Sequence, residues 1–222
     1  MNFTQLKSRF ANLDPAAFCD ADKSTRVFAP EISRINPGPQ MLGPARTVRC
    51  FDDFLVVIEA LAESKRGEVL VIDTQGTKRA VVGELFTLEA ARSGLAGIVI
   101  DGGCRDTETI MTVDLPVYAT HRTPVSGTVQ RVGETQIPVI CGGVEVLPGD
   151  IIYGDSDGVI AMSEQEASAL INAAEAIKET EQKAIKAMSE GKSLIDLTNF
   201  HEHLTARREG DGDSRLKFEI KD

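Results

Sequence analysis

Apolar residues recur at helical spacing in several stretches of the chain. The predicted helices cover residues 1–25 with a break at Pro15, then 54–63, 84–92 and 163 to about 190. At the start of the last helix, Ser163 and Glu166 have the spacing of a capping box. Its apolar positions form one stripe, which predicts packing against the core or another subunit: Leu170, Ile171, Ala174, Ile177, Ala184, Ile185 and Met188.

Runs of β-branched residues between the helices predict buried strands at 68–73 and 97–101, and a further strand is centred on 47–50. The alternation of strands and helices indicates an α/β fold with local β-α-β units. The second half of the chain changes character. There, short apolar runs separated by Pro, Gly and Asp predict a small β-rich barrel or sandwich layer: 117–119, 127–132, 138–140, 144–146, 150–153 and 159–162.

The length of 222 residues suits one well-packed domain, which we place at residues 1–195. The polar stretch 196–222 is predicted to be a mobile tail or an arm lying on a neighbouring subunit.

Charge and hydropathy narrow the function classes. The net charge of -10 argues against a nucleic-acid-binding surface, which needs clustered Lys and Arg. The chain has no apolar run of membrane-spanning length and no leader-like start, so we expect a cytoplasmic protein that does not bind membranes. The four cysteines lack zinc-site spacing and are predicted to be free thiols. Cys104 adjoins Arg105, whose charge could lower the pKa of a thiol, but no His is near in sequence to serve as its base.

The residues most suggestive of chemistry are Glu84, which opens a predicted helix, and the pair Arg105-Asp106, which follows a glycine loop. Each alone has an ordinary explanation: an acid favoured by the helix dipole, and adjacent charges on a surface. Together they suggest a site for a divalent metal and a small keto acid. The free amides of Leu85 and Phe86 could bind a carboxylate, and Arg105 could bind the same anion or its keto oxygen. Asp106 and Glu84 supply hard oxygens for Mg²⁺ or Mn²⁺, directly or through waters.

The sequence resembles the RraA-like family, which includes metal-dependent 4-hydroxy-4-methyl-2-oxoglutarate and 4-carboxy-4-hydroxy-2-oxoadipate aldolases. The family pattern is an acid, twenty residues, then Arg-Asp, matched here by Glu84 and Arg105-Asp106. The surrounding pieces that match are GPARTV (43–48), GEVLVID (67–73), GEL (83–85), GIVIDG (97–102), PVY (116–118), PGD (148–150) and DSDGV (155–159).

The resemblance implies an αββα sandwich with a β-rich core and a long C-terminal helix, assembled as a homotrimer or a dimer of trimers with sites between subunits. It also implies that Asp106 binds Mg²⁺ or Mn²⁺ and that Glu84 holds metal-bound water. The amides of Leu85 and Phe86 would take the pyruvate carboxylate, and Arg105 would lie by the keto oxygen. The chain departs from the aldolases at Glu84, where they carry Asp.

The expected function is that of a class II type aldolase, a carbon-carbon lyase that releases pyruvate from a 4-hydroxy-2-keto acid through a metal-stabilised enolate. Oxaloacetate decarboxylation follows from the same enolate. Two alternatives remain: a non-catalytic regulator that binds a ribonuclease, as in members of the family that give it its name, and a related lyase or hydrolase acting on another small acid.

Several other polar residues are weaker candidates. Asp73 and the 78–79 pair (Lys78 and Arg79) could bind a distal substrate carboxylate or form a solvated loop. Asp52-Asp53 is interpreted as a helix-capping pair, and His121 as a surface or packing residue in a loop. The glycines after Asp101 lack the helix and Lys of a P-loop, and His201 and His203 in the polar tail are weak metal candidates.

Overall fold

The computed structural model describes residues 2–220. The helices within this range are α1 (Phe3–Leu6), α2 (Pro15–Ala21), α3 (Leu55–Glu63), α4 (Glu84–Ser93), α5 (Thr107–Ile110), α6 (Glu164–Ser189) and α7 (Phe200–Arg208). A 3₁₀ helix, Lys7–Asn12, joins α1 to α2. The strands are β1 (Arg26–Val27), β2 (Ser33–Arg34), β3 (Met41–Arg49), β4 (Val69–Asp73), β5 (Ala80–Val82), β6 (Gly97–Cys104), β7 (Val117–Arg122), β8 (Glu134–Thr135), β9 (Val139–Cys141), β10 (Val144–Val146), β11 (Ile151–Gly154) and β12 (Val159–Met162).

The main sheet is curled and has the strand order β1-β12-β11-β3-β4-β6-β7-β2, with β5 also paired to β6 and β8 to β3. The first part of β3 pairs antiparallel with β11, and its second part, from Ala45 to Arg49, pairs in parallel with β4. A parallel half and an antiparallel half therefore share one strand, which gives the predicted β-rich core the form of a half-barrel.

Helices cover the outer faces of both halves, so the layers run α-β-β-α, as the resemblance implied. The parallel strands are buried on both sides, as β-α-β units require. On one side α3 and α4 contribute apolar side chains such as Val57 and Ala90 to the core with Leu70 and Ile98. The other side meets β11, β12 and the β9–β10 hairpin.

The long C-terminal helix begins as predicted. The Ser163 hydroxyl accepts a hydrogen bond from Glu166 N, and the Glu166 carboxylate accepts one from Ser163 N, which completes a capping box. Ile171 and Ala174 pack with α1, α2 and β11. The predicted stripe breaks further on, because the Ile185 side chain is 65% exposed while Ala184 and Ala187 are buried.

Two segments differ from their predicted structure. The residues after Asp101 are not a loop, because β6 continues through Gly102 and Gly103 to Cys104. Residues 127–132 form no strand. The polar C-terminal stretch contains α7 and an isolated bridge between Thr198 and Phe218. The domain boundary at 195 and the tail or arm beyond it stay predictions. Among residues 2–220, no helix combines the length and apolar character needed to span a bilayer.

Candidate active site

The candidate site lies where β5 and β6 end side by side. The two strands are parallel, with Val82 in register with Cys104, so the residues that follow them emerge at the same edge of the sheet. Arg105 N donates a hydrogen bond to Val82 O at 3.0 Å. This pairing brings the start of α4 against Arg105-Asp106, although twenty residues separate them in sequence.

Asp106 is held in an unusual backbone conformation at this edge. Its φ of 56° lies in the left-handed region, which Asp tolerates better than most residues. Its Oδ2 atom lies 3.3 Å from Glu84 N and 3.3 Å from Arg105 Nε. Its Oδ1 atom accepts no hydrogen bond from any residue the structure describes. One carboxylate oxygen is therefore fixed by the protein, and the other is left for a ligand.

The glycine before α4 gives the Asp106 carboxylate its space. A Cβ atom added to Gly83 would lie 2.5 Å from Asp106 Oδ2 and 3.2 Å from Arg105 Cγ. The φ of Gly83 is -141°, so its backbone is not what requires glycine. The close approach of the helix start to the carboxylate requires it.

The first turn of α4 leaves two amide donors free. Glu84 N donates to Asp106, while Thr87 N and its hydroxyl both use Gly83 O. Within the described range, the amides of Leu85 and Phe86 donate no hydrogen bond. Such orphan amides, with the positive end of the helix dipole, form an anion-binding position.

Two cavities meet at Arg105 and Asp106. The first, of about 120 Å³, is largely apolar, and it is lined by Phe54, 80–83, Leu85, Phe86 and Ser126. The second, of about 320 Å³, is more polar, and it is lined by Cys104, Thr107, Arg122, Thr123 and Pro124. A molecule held at Asp106 can therefore extend in two chemically different directions.

Glu84 lies close to this centre but lines neither cavity. Its Oε2 atom accepts a hydrogen bond of 2.8 Å from the Thr109 hydroxyl, on α5. The sequence analysis did not identify Thr109. The signal was available in principle, since Thr109 follows Asp106 at helical spacing, but a lone Thr on a four-residue helix is not distinctive.

A divalent metal fits the donors at Asp106 if water and substrate complete its coordination. Across residues 2–220, no cluster of three or more His, Cys, Asp or Glu side chains is placed to enclose a metal. Mg²⁺ often uses one or two carboxylates and keeps several waters. The Asp106 side chain, which is 36% exposed and whose Oδ1 accepts no hydrogen bond in the described range, is compatible with that mode. The metal itself stays a prediction.

The weaker candidates lie elsewhere. Arg79 donates to Ser126 O and has its Nε 3.6 Å from Asp52, and neither it nor Lys78 lines the two cavities. Asp73 accepts a hydrogen bond from Gln75 N and lies 3.6 Å from the Arg49 guanidinium. Asp53 accepts a hydrogen bond from Leu55 N at the start of α3, although the N-cap residue itself is Phe54. Asp52 accepts from the Thr77 hydroxyl, so only Asp53 of the predicted capping pair serves the helix.

The remaining candidates have structural roles. Burial raises the pKa of the Cys104 thiol to about 11, so the neighbouring cations do not activate it. His121 belongs to β7 rather than to a loop, with its Nδ1 2.9 Å from the Thr120 hydroxyl. Asp101 accepts a hydrogen bond from Gly142 N and lies within β6, so the glycines after it form no phosphate loop. His203 Nδ1 lies 2.8 Å from Ser214 Oγ.

The chain is similar in sequence and fold to known proteins. A family model described as RraA-like (Aldolase/RraA) matches residues 15–161. A Halalkalibacterium halodurans protein named "Putative 4-hydroxy-4-methyl-2-oxoglutarate aldolase" is 34% identical over 154 residues, which are 68% of this chain and 73% of that protein.

Two solved structures share the fold. An uncharacterized protein from Pseudomonas syringae has a TM-score of 0.76 and 28% identity, and the match covers 86% of this chain and 91% of that one. The RNA-processing inhibitor RraA from Thermus thermophilis has a TM-score of 0.63 and 31% identity, and the match covers 67% of this chain and 92% of that one.

Proposed function

Since this chain belongs to the RraA-like family, we propose that it is a divalent-metal-dependent aldolase that cleaves a 4-hydroxy-2-keto acid and releases pyruvate. The observation that carries the proposal is the convergence of three features at one cleft. They are the two free amides of Leu85 and Phe86, the half-exposed Arg105, and an Asp106 carboxylate with one unbonded oxygen.

Each feature suits one part of a 2-keto acid. The α4 amides would bind the substrate carboxylate, as helix starts bind anions. The Arg105 guanidinium would lie beside the keto oxygen, where negative charge develops during cleavage. Asp106 would hold Mg²⁺ or Mn²⁺, which when bound supplies Lewis-acid charge to polarise the keto group. The Glu84 carboxylate, positioned by Thr109, would accept a hydrogen bond from water in the site.

The proposed reaction is a retro-aldol cleavage. A base removes the proton from the C4 hydroxyl, the C3–C4 bond breaks, and C4 becomes a carbonyl carbon. The electron pair of the broken bond passes to C3, which gives the enolate of pyruvate, and protonation at C3 gives pyruvate. Arg105 stabilises the enolate oxygen because its charge is already in place before the bond breaks. Oxaloacetate loses CO₂ to give the same enolate, so decarboxylation is an expected side activity.

A coupled pyruvate-release assay tests the proposal, with 4-hydroxy-4-methyl-2-oxoglutarate and oxaloacetate as substrates, with Mg²⁺, with Mn²⁺ and with EDTA. We expect turnover only with metal, and at least a 100-fold loss in Asp106→Ala and Arg105→Ala with the fold retained by circular dichroism. Glu108→Ala, an exposed acid two residues from Asp106 that lines neither cavity, is the control and should stay within about twofold. Near-normal turnover in Asp106→Ala or Arg105→Ala would refute the assignment of this site.

The proposal includes assembly as a homotrimer or a dimer of trimers, without nucleic acid or membrane partners. It is supported by exposed apolar side chains in the segment 125–132, whose Ser126 lines the first cavity: Val125 is 53%, Val129 51% and Val132 83% exposed. Light scattering should give a mass that is a multiple of three times the 24.0 kDa chain. A monomer at micromolar concentration would contradict it.

The second candidate is a protein-binding regulator of RNA processing, favoured by the likeness to the Thermus thermophilis inhibitor. A third is a related lyase or hydrolase on another small acid. Ribonuclease inhibition with no pyruvate release from any acid in the panel would favour the second. Metal-dependent turnover of an acid that yields no pyruvate would favour the third.

A further inference from the structure

The second cavity at the candidate site contains a cation whose charge is not neutralised. Arg122 is the last residue of β7, and it is in register with Cys104 of β6. Its side chain lines the cavity together with Arg105 and Asp106. Among the residues that the structure describes, no carboxylate lies within 4.0 Å of the Arg122 guanidinium. Arg105, by contrast, has Asp106 Oδ2 at 3.3 Å.

Arg122 belongs to a paired strand of the sheet rather than to a loop. Thr123 N donates to Cys104 O at 3.0 Å, which extends the β6–β7 pairing beyond Arg122. The Thr107 side chain lines the same cavity, and its hydroxyl has no hydrogen-bond partner in the described part of the chain. A guanidinium on a paired strand and a free hydroxyl in one cavity are donors from which a carboxylate can accept hydrogen bonds.

The position of this cavity matters because the first cavity already contains an anion position. The amides of Leu85 and Phe86 lie on the first-cavity side of Asp106, and Arg122 lies on the second-cavity side. A molecule with a carboxylate at each end could bind the amides with one end and Arg122 with the other. Its middle would then lie at Arg105 and Asp106, which both cavities share.

We propose that the cavity of Arg122 and Thr107 is the subsite for the second carboxylate of the substrate. It makes the protein selective for dicarboxylic over monocarboxylic 2-keto acids. The inference rests on the proposed function, because it takes the first carboxylate to be at the α4 amides. It replaces the sequence-based assignment of the distal carboxylate to Lys78 and Arg79, since neither residue lines the two cavities.

The expected effect is moderate because Arg122 is exposed. A bidentate Arg–carboxylate ion pair is strong when it is shielded from water, but solvent and salt weaken the pair at an open site. We therefore expect removal of the guanidinium to weaken binding of a diacid by roughly 10-fold, with a smaller loss of about threefold for the Thr107 hydroxyl.

The test is a binding titration by calorimetry with 2-oxoglutarate and 2-oxobutyrate, in the presence of Mg²⁺. These acids share the keto-acid head and differ in the second carboxylate. Wild type should prefer 2-oxoglutarate by about 10-fold, Arg122→Met should lose that preference by weakening 2-oxoglutarate alone, and Arg122→Lys should restore part of it. Lys192→Met removes one positive charge from the exposed turn after α6 and should keep the full preference.

Three results would overturn the proposal. They are equal binding of the two acids by wild type, a loss in Arg122→Met that is the same for both acids, or the selective loss appearing in Lys78→Met instead. A parallel pyruvate-release assay separates the two inferences. Selective binding through Arg122 without any pyruvate release would support the subsite and refute the aldolase proposal. Pyruvate release with no preference for diacids would support the aldolase and refute the subsite.

Discussion

Replacement of Gly83 by Ala is the smallest change that should disable the candidate site. The new Cβ atom would lie 2.5 Å from Asp106 Oδ2, whereas real Cβ contacts below 3.0 Å are essentially never found. The carboxylate must therefore move by about 0.5 Å or more, which stretches its 3.3 Å contact with Glu84 N. Misplacement of about 1 Å can cost roughly 100-fold in rate, so we expect kcat to fall by about 10- to 100-fold.

Stability should change much less than activity in this variant. The backbone of Gly83 is in the extended region, which Ala adopts without strain, and the Asp106 side chain can turn toward solvent because it is 36% exposed. We expect a loss of about 1 kcal/mol or less, measured by urea unfolding, chiefly from the helix cap. Gly212→Ala, where no atom lies within 4 Å of the new Cβ, is the matched control. The reasoning fails if Gly83→Ala keeps wild-type kcat and metal affinity, or if it unfolds the protein.

Three further outcomes are expected. Thr109→Val removes the donor to Glu84, so kcat should fall about fivefold and stability by about 1 kcal/mol, with recovery in Thr109→Ser; unchanged kcat would show that the bond is unimportant. Burial favours a raised pKa for Asp53, but hydrogen bonds from Thr128 and backbone amides hold that pKa below its usual range. Its stabilisation is therefore present above the unfolded value of about 3.9 and is lost as pH falls through the folded pKa. Urea unfolding should show Asp53→Asn about 1–3 kcal/mol less stable at pH 7, with a smaller loss of stability below pH 5 than wild type; parallel pH curves would contradict this. Because Cys104 and two other thiols are buried, native protein should react with a thiol reagent only at Cys19, and denatured protein at all four; rapid labelling of a second thiol would contradict this.

The sequence predicted the position of a residue best where that residue lies at the end of a helix or strand with a clear apolar pattern. The helix 84–92 and the strand 97–101 were predicted from apolar spacing, and α4 and β6 cover both. Glu84 is the first residue of α4, and Asp106 lies two residues after the end of β6. The end-to-end proximity of those residues then follows from parallel pairing of β5 with β6.

The extent of β6 could not be predicted, because glycines usually end a strand and here they continue it. A Cβ atom at Gly102 would lie 2.4 Å from the Thr74 hydroxyl, and one at Gly103 would lie 2.9 Å from the His121 ring. Both glycines are present because neighbouring segments approach the strand closely. That approach is a tertiary contact, and local sequence carries no signal for it. Local sequence likewise gives no sign that Arg122 lies at the site, since only the β6–β7 register places it opposite Cys104, the residue before Arg105.

The two acids of the sequence pattern have unequal structural roles, and their hydrogen bonds show why. Asp106 is fixed through one oxygen by Glu84 N and keeps the other oxygen free, so it can bind a ligand without losing its anchor. The Glu84 carboxylate is tied to Thr109 on α5 and lines neither cavity. The Thr109 hydroxyl donates to one of the two Glu84 carboxylate oxygens, Oε2, at 2.8 Å. If this hydrogen bond positions Glu84 for water at the site, Thr109→Val should lower kcat and Thr109→Ser should restore it.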